Sequence, residues 1–186
     1  MEINLSWDLF VIVFFTVIIA YTFIVGRNQS IKIIISTYIA ILAADGVGNL
    51  IQKYFIGNKP VIQTFDFASG EGNLMLIKII IFILCIVLIT TRGKFQINVN
   101  KADSSLMGVV FSLAYGVLSA GLITSTILIY ASGASLVQES STIVNQAVLA
   151  IYESSKLVRL MINNYNVWFS LPAVAFVVSS FFGEEE

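Results

Sequence analysis

The chain has 186 residues, 58% of them hydrophobic and only 11% charged, with a mean hydropathy of +0.92. A soluble domain carries roughly twice that charged share, so water would find too few polar side chains here, and the bilayer is the solvent that fits. Lys and Arg total 10 against 11 Asp and Glu; the resulting charge of −1 excludes the basic footprint of a nucleic-acid binder.

A membrane-crossing helix needs about 20 apolar residues. Four stretches meet that length: Trp7 to Gly26, Ile31 to Ile51, Leu74 to Thr91 and Leu106 to Tyr130. Barrel strands are about half as long and alternate polar with apolar residues, so helix is the only form these runs allow. Arg27 and Lys32 flank the first turn, and Arg92, Lys94 and Lys101 lie between the third and fourth spans. Both connections fall on one side, which the positive-inside rule makes cytoplasmic. The amino terminus, with Glu2 and Asp8 and no basic residue, is then predicted outside, and the missing basic region argues against a cleaved signal peptide. Residues 52–73 become an external connection. Trp7, Tyr54 and Tyr130 fall at predicted outer ends, as an aromatic belt would.

The pattern changes after the fourth span, which divides the chain into a membrane domain, 1–133, and a C-terminal part, 134–186. From Leu136 to Ile162, Val137, Val144, Ile151 and Val158 recur every seven residues, with Glu139, Glu153, Lys156 and Arg159 on the other side. This predicts an external amphipathic helix that lies in the interface or packs on a partner, the interface being the plainer reading. Val167 to Phe182 is apolar but short and contains Pro172; a span is marginal in length, and a docked or re-entrant segment is the preferred expectation. Glu184, Glu185 and Glu186 read as a solvated tail. The fold class is therefore an all-α integral membrane protein with four transmembrane helices, an external amphipathic helix and a short apolar C-terminal segment.

Two spans carry stripes of small residues. Gly108, Ser112, Gly116, Ala120 and Thr124 are four apart in the fourth span, and Ser36, Ala40, Ala44 and Gly48 are four apart in the second. Such spacing bares one helix face and allows close backbone approach, with each other as the first pairing to consider. Glycine and alanine are also common in membrane helices generally. Homo-oligomers or other membrane proteins could use the same faces.

Asp45 and Lys78 are the two charges of interest within spans. An intramembrane charge costs a few kcal/mol and is a functional candidate by default. Both are predicted roughly 6–9 Å below the outer boundary, so they can meet if spans two and three are neighbours. A structural ion pair with lysine snorkelling is one reading and a proton or ion relay the other. A relay usually needs several acids at depth, and no second one lies in a span.

No catalytic constellation is legible. Histidine is absent and cysteine occurs once, at Cys85 in mid-span, which leaves no triad, no zinc-peptidase motif and no disulfide framework. Gly46-Val47-Gly48 and Gly70-Glu71-Gly72 each lack the third glycine of a dinucleotide loop. No enzyme activity, cofactor or metal is expected; the bilayer is the one partner composition requires.

Certain residues resemble the colicin V production protein family of bacterial inner membranes. These are Asp8-Leu9-Phe10 opening the first span, Gly26-Arg27 closing it, and Asp103 before Gly108-Val109-Val110-Phe111 and Gly116-Val117-Leu118. The resemblance covers residues 7–131. Asn28-Gln29-Ser30 stands where the family shows another glycine and further charge, and Tyr115 where it often has arginine. The resemblance implies a four-span protein of the bacterial cytoplasmic membrane tied to colicin V production, hence to toxin biosynthesis or export. Related membrane regions elsewhere carry external serine protease domains, for which this chain has no histidine. A membrane accessory or scaffold protein is the expectation. A small channel or transporter using Asp45 and Lys78, or a structural subunit of a larger complex, is the alternative.

Overall fold

The computed structural model describes residues 7–56, 71–94, 106–132, 152–153 and 155–181. Every regular element among them is helical: α1 (Trp7–Val25), α2 (Arg27–Ile51) with a π-helical turn at Gln52–Ile56, α3 (Glu71–Arg92), α4 (Leu106–Ala131), α5 (Lys156–Asn163) and α6 (Tyr165–Phe181). Helices α1 to α4 are long and apolar enough to cross a membrane, and the protein is an all-α membrane protein. The rest of the 52–73 connection, the first part of the seven-residue repeat and the triple-glutamate tail lie outside the described residues.

The first connection is shorter than predicted. Residues 27–30 form the first turn of α2, not a loop, so Gly26 alone separates two helices. Its φ of 81° and ψ of 175° lie in a region open essentially to glycine. The turn satisfies itself. The Gly26 N–H donates to Thr22 O at 3.0 Å, and the Ser30 hydroxyl donates to Gly26 O at 2.9 Å and Thr22 O at 3.3 Å. Carbonyls orphaned at the end of α1 thus find donors without water.

Helices α2 and α4 form the centre, burying more than half of their spanning residues, whereas α1 and α3 bury less than a fifth of theirs. α3 packs antiparallel on α2, α1 antiparallel on α4, and α2 beside α4. The layer order is therefore α3, α2, α4, α1. Ile31, Ile34 and Ile41 of α2 meet Phe82 of α3 and Tyr115, Leu122 and Tyr130 of α4 in the main core. The outward faces of α1 and α3 expose Ile12, Val17, Ile80 and Leu84, as lipid contact requires.

The small-residue stripes do not share one seam. A Cβ on Gly116 would lie 2.5 Å from Thr22 Oγ1 and 3.7 Å from Ile19 Cα, so this glycine opens on α1. One on Gly48 would strike the Lys78 stem of α3, 2.5 Å from Cε. Ser36, Ala40, Ala44, Ala120 and Thr124 are buried, and Ser112 is half-buried. Gly108 lies in the first turn of α4. Each central helix uses a bare face to seat the outer helix beside it.

The C-terminal helices also depart from expectation. The seven-residue repeat predicts one helix through 162, but Ser155 breaks it, extended at φ −120° and ψ 120°, with its hydroxyl accepting from the Val158 N–H at 3.1 Å. That is an N-cap, and it starts α5 afresh. Val158 and Met161 then pack on Val11 of α1 and Leu128 of α4. The described part of the amphipathic stretch docks on its own bundle. α6 lies along α4, with the Trp168 ring over Gly121.

Candidate functional site: the buried charge pair and its neighbours

Asp45 stands on α2 and Lys78 on α3, on facing sides of an antiparallel pair. Lys78 Nζ lies 3.2 Å from Asp45 Oδ1, and the two residues are 6% and 1% exposed. The ammonium ends on the carboxylate, so the structure shows the ion pair. Gly48 stands three residues beyond Asp45, and its missing side chain is the slot through which the lysine stem reaches the acid. The small-residue face and the charge pair are thus one device.

Tyr130 closes the pair from α4. Its ring centroid is 5.9 Å from Lys78 Nζ, within cation–π range. Its hydroxyl donates to Ile41 O at 3.1 Å and neighbours the Asp45 carboxylate. Its ring meets Phe82 edge-on at 5.8 Å. The sequence suggests Tyr130 as a belt residue; the structure corrects that, since Tyr130 is fully buried while Trp7 and Tyr54 are exposed. Tyrosine suits a belt or a polar core equally well by composition, because it has an apolar ring and one polar tip.

Four further polar ties hold the bundle, and the sequence does not single them out. Lys32 is buried at the other end of α2, where its Nζ donates to Gly93 O at 2.7 Å, just past the last turn of α3. A cation there meets the negative end of the α3 dipole. Lys32 is therefore part of the α2–α3 contact as well as a basic residue near a turn. At the Trp7 end, Asp8 Oδ1 accepts from the Ser155 hydroxyl at 2.6 Å and from the Leu157 N–H at 3.0 Å, so α1 caps α5. Within α6, Pro172 removes one backbone donor and its ring disturbs the preceding turn. The Tyr38 hydroxyl of α2 enters that turn, donates to Phe169 O and is hydrogen-bonded by the backbone of Ala173. Tyr115 of α4 donates to Ala175 O at 3.3 Å. The missing Pro172 N–H would have served Trp168 O, four residues back; the Tyr38 hydroxyl instead serves the next carbonyl, Phe169 O, and takes the Ala173 N–H that would otherwise bond it, an exchange that nothing local in sequence announces.

Most buried hydroxyls serve their own helices. Ser36, Thr37, Ser119 and Thr126 each donate to the carbonyl four residues back at 2.7 Å. Each hydroxyl proton is thereby committed to the backbone. Among the described residues no group of three or more Asp, Glu, Cys or His side chains is placed to hold a metal ion. Comparison of the chain with family models, with curated proteins and with solved structures returned no match.

Proposed function

We propose that the chain is a non-enzymatic membrane scaffold or accessory protein, the role that the resemblance to colicin V production proteins implies, seated in a bacterial cytoplasmic membrane with its amino terminus outside. The observation that carries the scaffold reading is the closure of the charge pair. Asp45 and Lys78 neutralise each other in a dry setting under Tyr130, beside Gly48, with each group spent on packing α2, α3 and α4 together. A transport path asks for ionisable groups that face a wet route and can change partners.

Purified protein in proteoliposomes tests this directly. Proton and monovalent-ion flux equal to that of protein-free vesicles is the expected result. Flux that requires the protein and disappears in Asp45→Asn would replace the scaffold by the transporter.

A further inference from the structure

We propose that residues 155–181 form a fifth, discontinuous membrane crossing, which runs from the Trp7 end of the bundle to the Gly26 end. Length alone hides it. α6 has 17 residues, about 25 Å of helix against a hydrocarbon core of about 30 Å. α5 has only 8 residues and is strongly two-faced. Neither piece crosses alone.

Their partners trace a continuous descent. Ser155 is hydrogen-bonded to Asp8, at the first turn of α1. Val158 packs with Val11 and Leu128, one turn further in along both helices. The Ser125 hydroxyl, a turn deeper on α4, lies 3.8 Å from Met161 sulfur. Trp168 covers Gly121 and meets Phe15 edge-on, with centroids 6.0 Å apart. Ala175 is level with Tyr115. Each step toward the C-terminus takes the segment farther from the Trp7 end. Phe181 lies thirteen residues beyond Trp168, about 20 Å of helix, while Leu106 lies about 22 Å from Gly121 in the same direction. The last described turn of α6 therefore comes level with the start of α4.

The backbone is also finished as hydrocarbon demands. Irregular backbone at membrane depth is tolerated where protein groups satisfy it. The start of α5 has Asp8 and Ser155 as caps. At the joint between α5 and α6, the Asn164 side chain donates to Leu160 O at 2.9 Å, and the Val167 N–H donates to Asn164 O at 3.0 Å. The turn at Pro172 has the Tyr38 hydroxyl. These are the three irregular points of the segment, and protein side chains or backbone contribute hydrogen bonds at each.

An odd number of crossings puts Trp7 and Phe181 on opposite sides, with Phe181 on the side of the α3–α4 connection. The inference concerns only which positions share a side, so it is independent of the scaffold reading and of which side is cytoplasmic. Single cysteines at 184, 94, 153 and 174, placed in a Cys85→Ser background, test it with a membrane-impermeant maleimide on sealed right-side-out and inverted vesicles. Glu184→Cys is expected to label from the same side as Lys94→Cys and from the side opposite Glu153→Cys. Val174→Cys, on the exposed face of α6, is expected to stay unlabelled from both sides until detergent is added. Labelling of position 184 from the side that labels 153, or of position 174 in sealed vesicles of either orientation, overturns the fifth crossing.

Discussion

A carboxylate and an ammonium that meet away from water are worth little as a pair and are costly when separated. Asp45 and Lys78 are in that position, and neither can turn to solvent without unpacking α2 from α3. Asp45→Asn or Lys78→Met should each cost about 3–5 kcal/mol, because each leaves a lone buried charge or its unpaired remnant. The double substitution should recover part of that loss, since it removes both demands at once. Thermal unfolding in detergent measures all three. A double loss equal to the sum of the two single losses would mean that the partners do not depend on each other. The pair was legible before any coordinates, because counting residues from two predicted span ends brings both charges to one depth. Tyr130 was not: its distance along the chain says that it lies near a span end, and only the tilt of a side chain back toward its own N-terminus brings it over the lysine.

At the scale of elements, the lengths of α1 to α4 follow from uninterrupted apolar runs, and the sequence reads them within a few residues. Breaks are harder to read. The seven-residue repeat runs through Ser155 unaltered, because periodicity records which face is apolar and is blind to a single extended residue. Ser155 is a good N-cap residue, and Val158 three positions on supplies the N–H, yet the same residues fit mid-helix equally well. Pro172 announces a disturbed turn, and the rest of its story belongs to α2. Tyr38→Phe should leave Phe169 O one donor short and cost about 1–3 kcal/mol, the usual loss for a polar group left unsatisfied away from water. In a Pro172→Ala background the ring clash is gone and the Ala173 N–H is free to return to Phe169 O, so the cost of Tyr38→Phe should fall. A cost unchanged by Pro172→Ala would show that the hydroxyl serves some other purpose than mending the proline turn.

For the whole molecule, the order α3, α2, α4, α1 makes the central pair a shared wall with one outer helix on either side. Sequence pointed to both bare faces and left their partners open, because a small residue says only that something approaches. The α1–α4 contact has a sharp test. A Cβ on Gly116 would stand 3.6 Å from Thr22 Cβ, within the range of about 3.5–4.5 Å that disulfides span. With Cys85→Ser, the pair Thr22→Cys and Gly116→Cys should therefore oxidise in the membrane, seen as a shift on a non-reducing gel that reductant reverses after cleavage of the chain between the two sites. Thr22→Cys with Thr90→Cys, which puts the second thiol on α3, should not. Oxidation of the second pair but not the first would exchange the places of the outer helices.

The turn at Gly26 has a consequence for how the chain is made. One residue between two long apolar helices leaves no slack. The first helix cannot settle across the bilayer and wait while the second is synthesised at leisure, since the start of the second is already held by the end of the first. The two are therefore expected to enter lipid together as a hairpin, whose bend Ser30 ties through its bonds to Gly26 O and Thr22 O. A side chain at position 26 would meet no neighbouring atoms, yet it would oppose the bend itself. Its damage would therefore be done at birth, as chains that never enter the membrane, more than as looseness in those that do.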